Sequence, residues 1–456
     1  MASRQQHVEI PKVASLPARA KAAAPASSGA TSDEDEVIDK SAFFSSAGKS
    51  EPVKDVAKPK SVWVCKNLRP VPAFYPLEKS SRFVDDELEN VTERLAECLR
   101  VLSVQAEYNN DTASAYLITA ENVEMHLSLW KTTGEQSGII VELQRRKGDS
   151  IAFHRYSRFI LDAAIGDFDT QGHIQTHGED IEIVYSKKVQ RLLNVELSRG
   201  ASEHENAVIA IEIAHGLLLK DRMDARQLGL ESLCLLTDPK KTGITTALIA
   251  SHVVLLGTSR GIQGLPLSAD DDMIYDEAPF QAIREAILSL VQFGRLGDDI
   301  DFEDEDDGET ISILHNLALA VLANALDVIE NQDRFDQDPE ETEKKLAANR
   351  VRTESASSIA SDFLNETNEI SKTEILSTLI GELGKAAQKP HNACLSAKCI
   401  GSLCRASDEA RRRAKELGAK NVVSTALDVG ERTHLKLETQ CKEVNKVLHL
   451  RTQEDD

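Results

Sequence analysis

The chain is 456 residues long, too long for one ordinary hydrophobic core, so two or three folding units are expected. Its formal net charge is -22 and only 4% of its residues are aromatic, a balance that disfavours nucleic-acid binding, because neutralising phosphates needs a basic face. No window approaches the run of about 18 apolar residues that a membrane-spanning helix needs, the N-terminus lacks the apolar centre of a secretory signal, and seven scattered cysteines read as free thiols of a reducing, cytoplasmic compartment.

Residues 1–60 are rich in Ala, Ser, Pro and Lys around the acidic knot "SDEDEVIDK" and lack apolar periodicity, so a disordered tail is expected. The pattern changes at "SVWVCKNL", read as a strand. In "FVDDELENVTERLAECLRVL", Val84, Leu88, Val91, Leu95 and Leu99 recur at three- and four-residue spacing behind an acidic start, which predicts a helix. Four period-two runs follow, "SVQAEYN", "TASAYLITA", "VEMHLSLWKT" and "GIIVELQRR", separated by short polar turns; they predict an antiparallel meander. "SIAFHRYSRFILDAA" then predicts a helix with Ile151, Phe153, Phe159, Ile160 and Ala163 largely on one side. The order strand–helix–four strands–helix describes a compact α+β domain over residues 61–166.

Beyond Gly166 the texture is helical, with residues 167–200 as a connector and first helix and 201–456 as an all-α domain. Leu/Ile/Ala-rich segments from "ENAVIAIEIAHGLLL" to "EILSTLIGELGKAA" are too long for strands. "GDDIDFEDEDDGE", residues 297–309, reads as a solvated acidic insertion; the Leu314 position rules out a calcium loop, which requires a bidentate Glu there. Residues 331–361 read as a polar insertion. "ESLCLLTD" (Glu231–Asp238) matches "GSLCRASD" (Gly401–Asp408) without a gap, at an offset equal to four periods of about 42 residues. Together with the three-helix pattern of the last unit, "NACLSAKCIGSLCRASDEARRRAKELGAKNVVSTALD" and onward, this resembles an armadillo/HEAT-like superhelix of degenerate repeats.

"RRKGDSIAFHRYSRFILDAA" and its element order resemble the kinase-associated-1 domain, the C-terminal module of the AMP-activated kinase group, over about residues 61–166. The resemblance implies a basic patch that meets acidic phospholipid headgroups, or a surface that regulates a kinase. Arg145 matches the family's basic position before the turn, while Gln144 stands where the family often has lysine. Arg146, Lys147, Arg155 and Arg158 add charge, and Arg145, Arg146, Lys147 and Arg155 are expected to form one cationic rim, with Glu142 and Asp149 as nearby ion-pair partners. A second cluster, Arg411, Arg412 and Arg413, fans across a helix face, where it would receive an acidic peptide or serve as a solubilising surface.

Neither a kinase domain nor any nucleophile elbow, zinc helix, P-loop or dinucleotide fingerprint is legible. Cys394, Cys399 and Cys404 step by roughly 140° around a helix and do not converge on a metal. His252 reads as a satisfied core histidine and His154 as a surface residue. The expectation is a non-catalytic adaptor without cofactor, binding an unidentified protein through its helical repeats and touching an acidic membrane through its basic corner. The alternatives are a regulatory subunit acting in trans on a protein kinase, and a purely structural solenoid.

Overall fold

The computed structural model describes residues 63–132, 138–175, 203–258, 277–293, 305–335, 356–370 and 374–450. The expected tail, residues 1–60, and most of the connector lie outside them. Sheet and helices belong to one compact unit, Pro59–Asp456.

The first layer contains β1 (Arg69–Pro70), β2 (Ser81–Val84), α1 (Leu88–Val101), β3 (Gln105–Asn109), β4 (Ser114–Ile118), β5 (Glu124–Lys131), β6 (Ile139–Lys147) and α2 (Ser150–Ile165). The sheet order is β2-β6-β5-β4-β3, antiparallel throughout, with β1 added parallel to the end of β5. The α+β expectation holds, with one shift at the start. Trp63–Leu68 is not a strand; Trp63 is buried and stacks on Tyr108 at 5.1 Å between ring centroids. The strand beside β6 is Ser81–Val84, four residues that abut α1 and so merge with its apolar pattern in the sequence.

Alternation aims one side chain in two at the helices. Ala115 and Leu117, Met125, Leu127 and Leu129, and Val141 and Leu143 are all buried on this face. Against them pack Val91, Leu95, Cys98 and Leu99 of α1 and Phe153, Tyr156, Ile160, Leu161 and Ala164 of α2. Each large apolar side chain so buried contributes about 2 kcal/mol. The α2 stripe excludes Ile151, which is 79% exposed. Two residues before Phe153, it points about 200° away from the buried face, contrary to the sequence expectation.

The turn into α2 is built from local chemistry. Gly148 has φ 94°, and a Cβ there would lie 2.7 Å from the Asn122 carbonyl oxygen, so only glycine fits. Asp149 is the N-cap and accepts a hydrogen bond from the Ala152 amide at 2.8 Å. Gly166, left-handed at φ 93°, ends the helix.

The rest is helical: α3 (Thr170–Gln175), α4 (Glu203–Leu218), α5 (Met223–Leu236), α6 (Pro239–Thr242), α7 (Ile244–Leu256), α8 (Ala278–Phe293), α9 (Glu305–Phe335), α10 (Ala356–Ile370), α11 (Ile375–Leu383), α12 (Pro390–Ala406), α13 (Asp408–Glu416), α14 (Ala419–Thr433) and α15 (Leu435–Leu448). The two expected insertions are shorter than their sequence suggests. The acidic one runs into α9, which begins at Glu305, and the polar one is helical at both ends, with Ile359 and Ala360 of α10 in the core.

Within α9, Thr310–Gln332 is 23 residues with mean hydropathy 1.6, long and apolar enough to cross a membrane by composition. This corrects the expectation that no window approaches a spanning run: mean hydropathy passes although His315, Asn316, Asn324 and Asp327 interrupt the apolar residues. Half of that stretch is buried within the protein, where α9 packs on α5, α7, α8 and α12.

The two matching octapeptides occupy equivalent places. Glu231–Leu236 closes α5 with Thr237 as its C-cap, and Gly401–Ala406 closes α12 with Ser407 as its C-cap. A shorter helix follows each time, then a glycine at positive φ (Gly243 at 87°, Gly418 at 79°), then a long helix, α7 or α14. A buried arginine also stands in the fourth position of two helices, one in the helix that the first octapeptide closes and one in the short helix that follows the second. Arg226 of α5 donates to the Lys220 carbonyl at 2.5 Å, and Arg411 of α13 to the Cys404 carbonyl at 3.2 Å.

The sheet layer meets the array where the C-terminus of α1 faces the N-terminus of α15. Ser103, at φ 56° just past α1, accepts the Lys436 amide on its hydroxyl at 2.9 Å. Arg100 reaches Glu438 at 3.0 Å. The negative end of one helix dipole thus faces the positive end of another.

Candidate functional site

The basic residues expected at the turn into α2 form an exposed corner. Strand β6 carries Arg145, Arg146 and Lys147 to its end, and all three are exposed. Glu124 pairs with Lys147 and Met125 with Arg145, so Arg146 is the extra residue of a β-bulge. Such bulges re-aim side chains at strand ends. Arg145 donates to the Gly148 carbonyl at 2.7 Å, which folds it over the turn. Lys147 stands 3.9 Å from Glu124, a long and half-exposed pairing. Neither Arg145 nor Arg146 has a carboxylate partner among the described residues.

Both carboxylates that the sequence placed against this corner are engaged elsewhere. Asp149 caps α2. Glu142 is fully buried on the face of the sheet away from the helices. Its Oε2 accepts from the Tyr75 hydroxyl at 3.1 Å and the Trp130 indole N–H at 3.0 Å, and its Oε1 from the Glu78 amide at 2.9 Å. Gln144 then donates to the Tyr75 oxygen at 2.6 Å. The carboxylate therefore pins the segment Val71–Ser80 across the sheet. In sequence, "VEL" reads as an outward acid in an alternating strand, and nothing local announces Tyr75 or Trp130 as its donors.

The helix adds less charge than expected. Arg155 is held by both oxygens of Glu121, at 2.7 and 2.6 Å, and Arg158, 81% exposed, lies 3.7 Å from Asp162. The expected four-residue rim is thus reduced to Arg145, Arg146 and Lys147, with Ile151 exposed on the first turn of α2.

The second cluster is tied internally. Arg411 is buried, bonded to the Cys404 carbonyl and, at 2.8 Å, to Asp408. Arg412 is paired with Glu409 and Glu416, and Arg413 reaches Glu374 at 2.9 Å, joining α13 to the start of α11.

The remaining candidates are structural. Burial pushes the Cys399 and Cys404 thiols up to about 12 and Cys394 to about 11. His252 is buried as expected, but neither ring nitrogen has a hydrogen-bond partner, and burial lowers its pKa to about 4. Among the described residues no group of three His, Cys, Asp or Glu side chains is placed to hold a metal ion. Sequence reading missed a histidine pair, His391 and His434, where the sheet layer meets the array. Two lone histidines 43 residues apart carry no local signal.

No family model, no curated protein and no solved structure matches the chain.

Proposed function

We propose that the protein is a non-catalytic adaptor that attaches to acidic phospholipid surfaces through the Arg145–Arg146–Lys147 corner of a kinase-associated-1-like layer and presents a degenerate armadillo-like array to a protein partner. The observation that carries the membrane half is the engagement of Glu142 and Asp149 in other bonds, which leaves Arg145 and Arg146 without a carboxylate partner among the described residues. Three exposed cations near an anionic leaflet give about 3 kcal/mol of attraction, at about 1 kcal/mol each, and this attraction is screened by salt. Ile151, exposed on the first turn of α2, supplies an apolar tip beside them. The repeat half is supported by the equivalent placement of the two octapeptides, each closing a long helix before a short helix, a positive-φ glycine and another long helix.

Vesicle sedimentation tests the attachment. The full chain is expected to pellet with phosphatidylcholine vesicles containing phosphatidylserine at low salt, to be released at high salt, and to stay in solution with phosphatidylcholine alone. Replacing Arg145, Arg146 and Lys147 by Glu is expected to abolish pelleting. Equal recovery with neutral and acidic vesicles overturns the proposal.

A further inference from the structure

His391 is the second residue of α12, and His434 lies between α14 and α15 as the N-cap of α15. Four groups stand in line. The Leu437 amide lies 3.1 Å from His434 Nδ1, His434 Nε2 lies 3.2 Å from His391 Nδ1, and His391 Nε2 lies 3.1 Å from the Ile118 carbonyl oxygen of β4.

The two ends of this line fix every proton in it. A backbone N–H only donates, so His434 Nδ1 accepts and its proton sits on Nε2. That proton is donated to His391 Nδ1, which leaves the His391 proton on Nε2, facing a carbonyl that only accepts. The line closes with both rings neutral and with one direction of donation, from α15 through two imidazoles into the sheet.

The geometry points to an acid-sensitive latch: protonating either imidazole sets two donors face to face at one link of this relay and puts a charge into the closed seam between the sheet layer and the N-termini of α12 and α15. The seam opens to hydrate that charge, although the His391–Ile118 bond itself survives. A proton added to His391 Nδ1 faces the Nε2–H of His434 at 3.2 Å, and one added to His434 Nδ1 faces the Leu437 amide. Among the described residues neither conflict finds a nearby free carboxylate to relieve it. On α15, Lys436 lies close and repels an imidazolium, and Glu438 is already bonded to Arg100 and Lys442. The last turn of α14 carries Arg432, and Glu431, paired with Lys442 at 3.8 Å. From α12 and α15, Cys394 and Cys441 offer thiols that burial keeps protonated. From α1 comes Arg100, held by Glu97. The sheet layer contributes the Ile118 carbonyl, the Ser103 hydroxyl and the Gln105 amide, which donates to Gln388 at 3.1 Å.

The direction of the pH dependence follows. Burial first, then the His391 ring and Lys436, hold His434 well below the ordinary histidine value of 6.5, and burial likewise lowers His391. A released layer takes up protons more readily than a docked one. Docking is therefore fully favoured above about 6.5 and weakens as pH falls from there towards the lowered values.

Amide hydrogen exchange on the full chain, corrected for the intrinsic effect of pH, tests the latch. Between pH 7.5 and 5.0, peptides covering residues 434–440 and 100–106 are expected to lose at least tenfold in protection, while peptides from β5 stay unchanged. Substituting His391→Gln and His434→Asn together keeps a donor and an acceptor at each site without a titrating ring, and asparagine is a good N-cap. This variant is expected to show no acid loss at the junction. A wild-type junction as stable as β5, a loss shared equally by β5, or the same loss in the double variant overturns the latch. Should that variant fail to fold, nitrogen-15 spectra of the wild-type histidines at pH 7.5 decide. Two neutral rings with the proton on Nε2 support the relay, and a charged ring or an Nδ1–H at either residue overturns it.

Discussion

Arg145–Arg146–Lys147 and Arg411–Arg412–Arg413 are both runs of three consecutive cations, and folding gives them opposite fates. The first ends a strand and leaves its arginines without carboxylate partners among the described residues; the second sits on a helix and is ion-paired at every position. The difference comes from where each local geometry brings acids. On α13 the helical period places Asp408 three residues from Arg411, and Glu409 and Glu416 three and four residues from Arg412. On β6 the acid of the strand, Glu142, is buried and saturated by Tyr75, Trp130 and the Glu78 amide, and Asp149 beyond the turn caps α2. Counting charges along a chain does not measure a surface; the partners each charge already holds do.

The largest effect is expected from the buried acid of β6. Glu142→Ala strands the buried Trp130 N–H and loosens Val71–Ser80, costing about 3 kcal/mol, measured as a lower denaturation midpoint. A loss near zero would mean that Glu142 does not organise that face. Next comes Arg411→Ala, which leaves the Cys404 carbonyl without its donor at the end of α12, a cost of about 2 kcal/mol. Arg145→Ala is expected to leave the midpoint where it is, so equal losses at Arg411 and Arg145 would erase the contrast between the clusters. A double-mutant cycle on Arg413 and Glu374 is expected to give a coupling of about 1 kcal/mol, because both side chains are three-quarters buried and link two helices. Arg412→Ala is the smallest, with no measurable change in stability, its pairs being solvated and on one helix.

Part of this was legible in the chain. The meander, both flanking helices and the Gly148-Asp149 turn follow from period-two and period-3.6 patterns and from cap chemistry. The helix-spaced acids around Arg412 were equally readable in "DEARRRAKE". Ile151 leaves the stripe because each residue turns the helix by about 100°, which sets it on the far side from Phe153. The pairing of Arg413 with Glu374, the donors to Glu142 and the His391–His434 line were not legible. Each joins residues brought together only by tertiary packing, across 39, 67 or 43 positions of chain.

The bond between Ser103 and the Lys436 amide spans 333 residues. Synthesis runs from the N-terminus, so the sheet layer is complete long before its counterpart emerges. Through that interval Ser103 and the outward side of Arg100 stay wet, and α15 has no first turn to offer them. Joining the two closes a very long loop, the kind of step that chain topology makes slow. A nascent chain stopped before residue 434 therefore leaves Ser103 and Arg100 without the partners that α15 brings.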